Sequence, residues 1–293
     1  QDIAEYGGAF KITEGFVEKF GKERVRNTPL CEAAIVGSGL GLSINGYKSM
    51  VEMQFADFVT EGFNQIINNL AKTHYRWNQN ADVVVRMPTG AGTGAGPFHS
   101  QSNEAWFTKT PGLKIAYPAF PDDAKGLLIQ SFEDPNPVLF FEHKKLYRSL
   151  KGNVPEGFYT TPFGKARKVK EGNELTIITY GLGVHIALEF AEKNPEISLE
   201  IVDLRTLIPL DTETIYESVK KCNKVIILHE DTLTCGFGAE LSALISEHCF
   251  EDLDAPILRV ASMDTPIPFN KKLEDQFMPN EELAEAVDKI LKY

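Results

Sequence analysis

Residues 175–203 read LTIITYGLGVHIALEFAEKNPEISLEIVD, and this stretch decides the fold. LTIITY (175–180) is a short apolar run of the kind that forms a buried strand. Gly181-Leu182-Gly183 turns the chain, and 184–194 continues with helical spacing. SLEIVD (198–203) is a second strand. Working outward, Pro209 and Asp211 open a helix that runs to about Lys221. KVIILH (224–229) is a third strand, 238–249 a helix, 256–260 a strand and 281–291 an amphipathic last helix. Strand and helix in alternation imply a parallel sheet covered on both faces.

The first half alternates too. Pro29 opens a helix with Thr28 as its N-cap. That helix carries Ala33, Ala34, Gly37, Gly39 and Gly41, so it can pack very closely. Strands are expected at 48–54, 82–86 and 138–142. Helices are expected at 121–133 and at 63–72, the latter with Phe63, Ile66, Ile67 and Leu70 on one face. Residues 148–173 are rich in Gly, Pro and Lys and lack periodicity. The expected division is a first domain at 1–150, a linker at 151–168 and a second domain at 169–293. At ~150 residues per domain, 293 residues hold two.

The net charge is −11, which argues against nucleic acid or an anionic membrane as main partner. No apolar run approaches the ~20 residues of a membrane helix. The four cysteines have neither C-x-x-C nor zinc-ligand spacing, so a reducing compartment is expected. The opening residues QDIAEYGG read as the end of something already under way, and the native N-terminus is expected to lie upstream.

Three glycine patterns attract attention. Gly37-Ser38-Gly39-Leu40-Gly41 lacks a preceding strand, and close helix packing explains it better than a dinucleotide. Gly181-x-Gly183 has Asp203 about 20 residues on, as a dinucleotide fingerprint would, but Ile186 stands at the third glycine position. An ordinary strand-to-helix turn is the better reading, and NAD binding a distant one. Gly90–Gly96 alternates glycine through GAGTGAG without G-K-[ST], so it is no P-loop. Within 88–102 it is a long loop, either flexible or brought close to a ligand. His99 at its end is placed for acid–base work. Glu32 falls in the first turn of its helix. The helix dipole favours an acid there, and partial burial would equally make it a proton-holding acid. The residues alone leave both open. His229-Glu230-Asp231 closes a strand at the edge where ligands bind, but a solvated turn is the expected reading.

Several segments together resemble one family. They are Asn27-Thr28-Pro29-Leu30-Cys31-Glu32, Glu52-Met53-Gln54-Phe55-Ala56-Asp57-Phe58 and His99-Ser100-Gln101-Ser102. To these are added Pro111-Gly112-Leu113-Lys114, Asp123-Ala124-Lys125-Gly126-Leu127-Leu128 and Val202-Asp203-Leu204-Arg205-Thr206. From Asp2 to Tyr293 the chain resembles the beta subunit of the thiamine-diphosphate-dependent 2-oxo acid dehydrogenase component, most like its branched-chain, 2-oxoisovalerate type. The resemblance implies an α/β fold with a pyrimidine-binding domain followed by a transketolase C-terminal-type domain. It implies oxidative decarboxylation with acyl transfer to a lipoyl group. Glu32 would contact the ring nitrogen of the cofactor's aminopyrimidine. Phe58 would lie on that ring where many relatives carry tyrosine, Gln54 would lie near the same pocket, and His99 would assist acyl transfer. A structural potassium ion would take carbonyls of Ala81, Val83 and Val84 together with Ser131, Asp134 and Asn136. The family's G-D-G…N segment, which holds diphosphate and magnesium, is absent here. An alpha chain would supply it, in an α2β2 assembly docked to a dihydrolipoyl acyltransferase core with lipoyl domains. A pyruvate or acetoin enzyme and a non-catalytic scaffold subunit are the alternatives. The compartment would be the cytoplasm of a bacterium, or the mitochondrial matrix in a eukaryote.

Overall fold

The structure, a computed structural model, describes residues 2–293; Gln1, where the first domain was expected to start, lies outside the described residues. The strands in chain order are β1 (Ser49–Glu52), β2 (Val83–Thr89), β3 (Lys114–Ala116), β4 (Val138–His143), β5 (Arg167–Lys170), β6 (Leu175–Thr179), β7 (Leu199–Asp203), β8 (Thr206–Ile208), β9 (Val225–Thr232) and β10 (Leu258–Ser262). They build two five-stranded sheets, ordered β1-β2-β4-β3-β8 and β10-β9-β6-β7-β5. Each sheet is parallel except for one edge. β8 runs antiparallel to β3, and β5 antiparallel to β7. The central strands β2, β6 and β7 are buried along their whole length, as apolar runs covered on both faces should be.

The stretch 151–166 carries no regular element, and β5 begins at Arg167. β3, β5 and β8 are not among the expected strands, and β8 joins the two halves. It follows β7 of the second sheet by two residues and completes the edge of the first. Arg205 makes the corner with a left-handed φ of 58°, and its carbonyl accepts the Tyr117 amide at 2.8 Å. Its guanidinium reaches Asp123 at 2.9 Å, in the first turn of the helix Pro121–Glu133. Arg167 reaches the same carboxylate at 2.9 Å. Two of the sequence segments singled out above thus meet across the sheets. One continuous apolar core runs from Val36, Met53 and Phe107 through Leu204 and Leu207 to Ile227 and Phe237.

The helices of the second half, Leu182–Lys193, Thr212–Cys222, Phe237–Cys249 and Asn280–Ile290, lie close to their expected places. Asp211 caps the second of them, accepting the Thr214 amide at 3.3 Å. The Gly181–Gly183 segment is a strand-to-helix turn, and a Cβ on Gly183 would stand 2.2 Å from the Thr179 hydroxyl. In the first half the expected start at Pro29 is wrong. The helix is Glu32–Ile44, with Cys31 in the N-cap position. Pro29-Leu30-Cys31 is a tight bend closed by Cys31 N–H to Pro29 O at 2.9 Å, and Cys31 at φ −159° interrupts helical geometry there. Gly39 faces Val51 and Val83 with would-be Cβ contacts of 3.1 and 3.2 Å, so close helix-to-sheet packing explains that glycine. The segment expected as one helix at 63–72 is helical but composite. A 3-10 turn Ala56–Gly62 precedes a π-helical stretch Gln65–Leu70, and Ala71–Trp77 is α-helical.

Thr110-Pro111-Gly112-Leu113 is a tight turn into β3, with Gly112 at φ 99° as the third position of a type II turn requires. A Cβ there would stand 1.9 Å from the Ala71 carbonyl oxygen. Backbone strain and steric conflict act together, so Gly112→Ala should lower stability by roughly 2 kcal/mol or more. A thermal melt of the variant checks this; an unchanged Tm would contradict the packing described.

Candidate functional site

In parallel sheets ligands bind beyond the carboxyl ends of the strands. β1, β2 and β4 end at one such edge. Beyond β1 come Gln54 and Phe55, then the 3-10 turn that carries Asp57 and Phe58. Beyond β2 comes the glycine loop that ends at His99. The Glu32 helix begins against the same 3-10 turn: a Cβ on Gly62 would lie 3.3 Å from Val36 and 3.4 Å from the Glu32 carbonyl. Glu32 is buried, at 9% exposure, so burial rather than a solvated helix end describes its setting.

His99 stands among rings. Its imidazole centroid is 4.8 Å from Phe55 and 5.5 Å from Phe58, both edge-on, and the two phenyl rings are 5.7 Å apart. Phe10 extends the wall, 5.4 Å from Phe55. Asp57 ties the two segments together. Its Oδ1 accepts the Gln101 amide at 3.1 Å and the Gln101 side chain at 2.9 Å. Asn103 donates to the Ala56 carbonyl at 2.9 Å. Phe58 and His99, far apart in sequence, are therefore held by one set of bonds. Gln54 donates to Asp2, and with Asp2, Tyr6, Ala9 and Phe55 it lines a cleft of about 460 Å³.

The glycine loop is moored by the second sheet. Glu230 Oε1 accepts the Ala91 amide at 2.6 Å and the Ser102 hydroxyl at 3.3 Å, while Oε2 pairs with His143 Nε2 at 2.6 Å. Glu274 accepts the Gly92 amide at 2.8 Å and the Gly94 amide at 2.9 Å. Lys144 donates to the Gly90 carbonyl at 2.6 Å. The expectation of a solvated turn at His229-Glu230-Asp231 is overturned: β9 runs to Thr232 and all three residues are buried. The two sheets close over them. Burial works against the Glu230 charge, but His143, the Ala91 amide and Lys144 outweigh it and hold its carboxyl below the usual range. Burial lowers Lys144 to about 8, against the pull of Asp57, Glu230 and Glu274. A second cleft, about 310 Å³, opens on the far side of the loop between Ser100–Ser102, Trp106 and Glu230–Thr232.

The six positions matched to a potassium ion lie around the opposite, amino end of β2. Ser131 donates to Leu127 O at 2.7 Å. Asp134 accepts both the amide and the side chain of Asn136 at 3.0 Å and pairs with Lys114. Ala81 O accepts the Val83 amide at 2.7 Å. The side chains of Ser131 and Asp134 are thus engaged within the fold. Beside them, Asp82 Oδ1 is buried without a hydrogen-bond partner, and burial raises its carboxyl. Among the described residues, no group of three or more His, Cys, Asp and Glu side chains is arranged for a metal ion.

Sequence reasoning missed Asp57 as a tie, although it sits inside a quoted segment, and missed His143, Lys144 and Glu274 altogether. Their partners are 44 to 182 residues away in the chain, and no local spacing signals such bonds.

The chain matches the transketolase pyrimidine binding domain over residues 1–149 and the transketolase C-terminal domain over 164–283. It is 49% identical to the 2-oxoisovalerate dehydrogenase subunit beta of Bacillus subtilis, over 98% of this chain and 89% of that one. It is 47% identical to the mitochondrial 2-oxoisovalerate dehydrogenase subunit beta of Dictyostelium discoideum, over 98% and 79%. The pyruvate dehydrogenase E1 component subunit beta of Rickettsia felis is 39% identical, over 100% and 91%. A solved structure described as a split-gene transketolase, inactive beta4 tetramer, superposes with a TM-score of 0.75 at 23% identity, covering 95% of this chain and 89% of that one, and shows the same fold.

Glu104 lies at the same junction, fully buried, with Oε1 accepting the Tyr180 hydroxyl at 2.8 Å and Oε2 without a partner. Burial, reinforced by Asp231, pushes its pKa from 4.5 to about 8. The folded chain therefore binds a proton that the unfolded chain releases above its ordinary pKa. That contribution is complete below about 4.5 and is lost as the pH rises through about 8. Glu104→Gln keeps the Tyr180 acceptor without the charge. It should raise Tm relative to the parent at about pH 8 and lose that advantage near pH 5. Thermal melts at both pH values check it; the same offset at both would contradict it.

Proposed function

Since the chain belongs to the family of thiamine-diphosphate-dependent 2-oxo acid dehydrogenase beta subunits, we propose that it is the beta part of a component that oxidatively decarboxylates a branched-chain 2-oxo acid and passes the acyl group to a lipoyl arm. The observation that carries the reading is an imidazole standing against an aromatic wall at one sheet edge, with the helix that begins at buried Glu32 packed on the same 3-10 turn. That surface suits a pyrimidine. Phe58 offers ring area, and Glu32 offers a carboxyl able to share a proton with a ring nitrogen. It does not suit a diphosphate. Of the basic side chains beside the loop, His143 and Lys144 are bonded to Glu230 and Gly90, and Lys145 lies over Gly92 on the exposed side. The chain thus fits one half of thiamine diphosphate, and we assign the diphosphate and its magnesium to an alpha chain across a shared site.

When bound, thiamine diphosphate stabilises the carbanion left by loss of carbon dioxide. The chain's own residues position and protonate. Glu32 holds a proton at the aminopyrimidine nitrogen. Phe58 and Phe55 exclude water from that face. His99 exchanges a proton with the sulfur that accepts the acyl group. Gln54, with Asp2, borders the cleft through which we bring the substrate. Carbonyl oxygens of Ala81, Val83 and Val84, together with Ser131, Asp134 and Asn136, would hold a potassium ion in a structural role.

We favour the branched-chain acid because 2-oxoisovalerate dehydrogenase subunits are the more similar relatives; pyruvate is the second reading, from the Rickettsia relative. One or two methylenes in a pocket are worth only about 1–3 kcal/mol. We infer an α2β2 assembly on an acyltransferase core, in the cytoplasm of a bacterium. No helix among the described residues is long and apolar enough to cross a membrane.

In the chain assembled with its alpha-type partner, Glu32→Gln should cut 2-oxo-acid-dependent dye reduction by a factor on the order of 10²–10⁴, with assembly intact. The parent should prefer 2-oxoisovalerate to pyruvate. Full activity of the variant would overturn the role of Glu32, and a pyruvate preference would overturn the substrate.

A further inference from the structure

The glycine loop forms an anion-binding concavity, and the anion is supplied by the chain itself. Gly92 and Gly94 have φ of 85° and 70°, and both amides turn to one side. Successive amides in such a conformation make a nest for a negative charge. Glu274 fills it. Its carboxylate is 2% exposed and takes three hydrogen bonds, Oε1 from Gly92 at 2.8 Å and Gly94 at 3.1 Å, and Oε2 from Gly94 at 2.9 Å. It comes from the helix Lys271–Phe277, which Asn270 caps by accepting the Lys272 and Leu273 amides. One residue earlier, Phe269 closes over the loop's other end: a Cβ on Gly96 would lie 2.2 Å from its ring. Gly96 O in turn accepts the His99 amide at 3.3 Å. The segment 269–274 of the second unit therefore grips the loop at 92–94 and at 96, three residues short of His99.

We propose that Glu274 is a positioning residue for acyl transfer, holding the glycine loop so that His99 stands against Phe55 and Phe58. It does not touch the reacting atoms. The proposal rests on the role given above to His99. The loop has no regular hydrogen-bond ladder of its own, and glycine at alternate positions leaves it many backbone states. The bond set that selects one of them is the Glu274 pair, supplemented by Glu230 at Ala91 and Lys144 at Gly90.

The test uses the chain assembled with its alpha-type partner, thiamine diphosphate and magnesium. Two rates are read side by side: dye reduction, which needs no lipoyl arm, and reductive acylation of a free lipoyl domain. Glu274→Ala should lower acylation by on the order of 10²-fold, the cost typical of a small displacement of a positioned group, and leave dye reduction within about threefold. His99→Ala should lower acylation as well, and the double variant should be no slower than His99→Ala alone, because both changes remove the same contribution. Hydrogen exchange should speed up in 90–99 and stay unchanged in β6 and β9. If the alanine variant does not assemble, Glu274→Gln, which keeps one acceptor oxygen without charge, carries the same comparison. Equal losses in both rates, additive losses in the double variant, or unchanged acylation with His99→Ala impaired would overturn the proposal alone. Unimpaired acylation in His99→Ala would overturn the His99 role and the proposal with it.

Discussion

Two carboxylates of the second unit, Glu230 and Glu274, reach across and take the amides of a glycine loop in the first. A buried carboxylate is costly unless its hydrogen bonds are made, so each acid is stable only while the loop lies where it does. The loop, in turn, has few bonds of its own and takes its further ties from Lys144 at Gly90 and Phe269 at Gly96. The constraint is mutual. It sets the relation between the sheets at the point where β2 and β4 end, and so sets which side chains meet there. The crossing strand β8 and the Arg205–Asp123 pair fix the other side of the same junction, and one apolar core runs beneath both.

Much of the fold was legible because its elements are local. A buried apolar strand, a glycine turn and an amphipathic helix each leave a mark within about a dozen residues. The second half, from β6 to the last helix, was read close to where it lies for that reason. The failures were failures of context. Thr28-Pro29 looks like a helix start, yet the bend at Cys31 delays the helix to Glu32. The segment 63–72 has the periodicity of one helix but mixes two winding types, α and π, and follows a 3-10 turn. β8 is three residues long and earns its place only by pairing with β3, 90 residues earlier.

The site divides the same way. The segments that carry Glu32, Phe58 and His99 stand out in the sequence, and in the structure Phe58 and His99 meet at one edge. The groups that hold them there do not stand out. His229-Glu230-Asp231 has the polarity of a surface turn, and only the closing of the sheets makes it an interior anchor. Glu274 sits in an ordinary polar helix, and nothing nearby in sequence marks it as the ligand of Gly92 and Gly94.

The site we propose in this chain is the pyrimidine-facing half alone. Its acids and rings suit a heteroaromatic base, and the buried basic side chains His143 and Lys144 are bonded within the fold. Calorimetric titration with thiamine diphosphate and magnesium, first of this chain alone and then of the chain mixed with its alpha-type partner, tests that most directly. The account predicts no saturable heat for the chain alone and one binding event per alpha–beta pair in the mixture. Stoichiometric binding of thiamine diphosphate by the chain alone would contradict it.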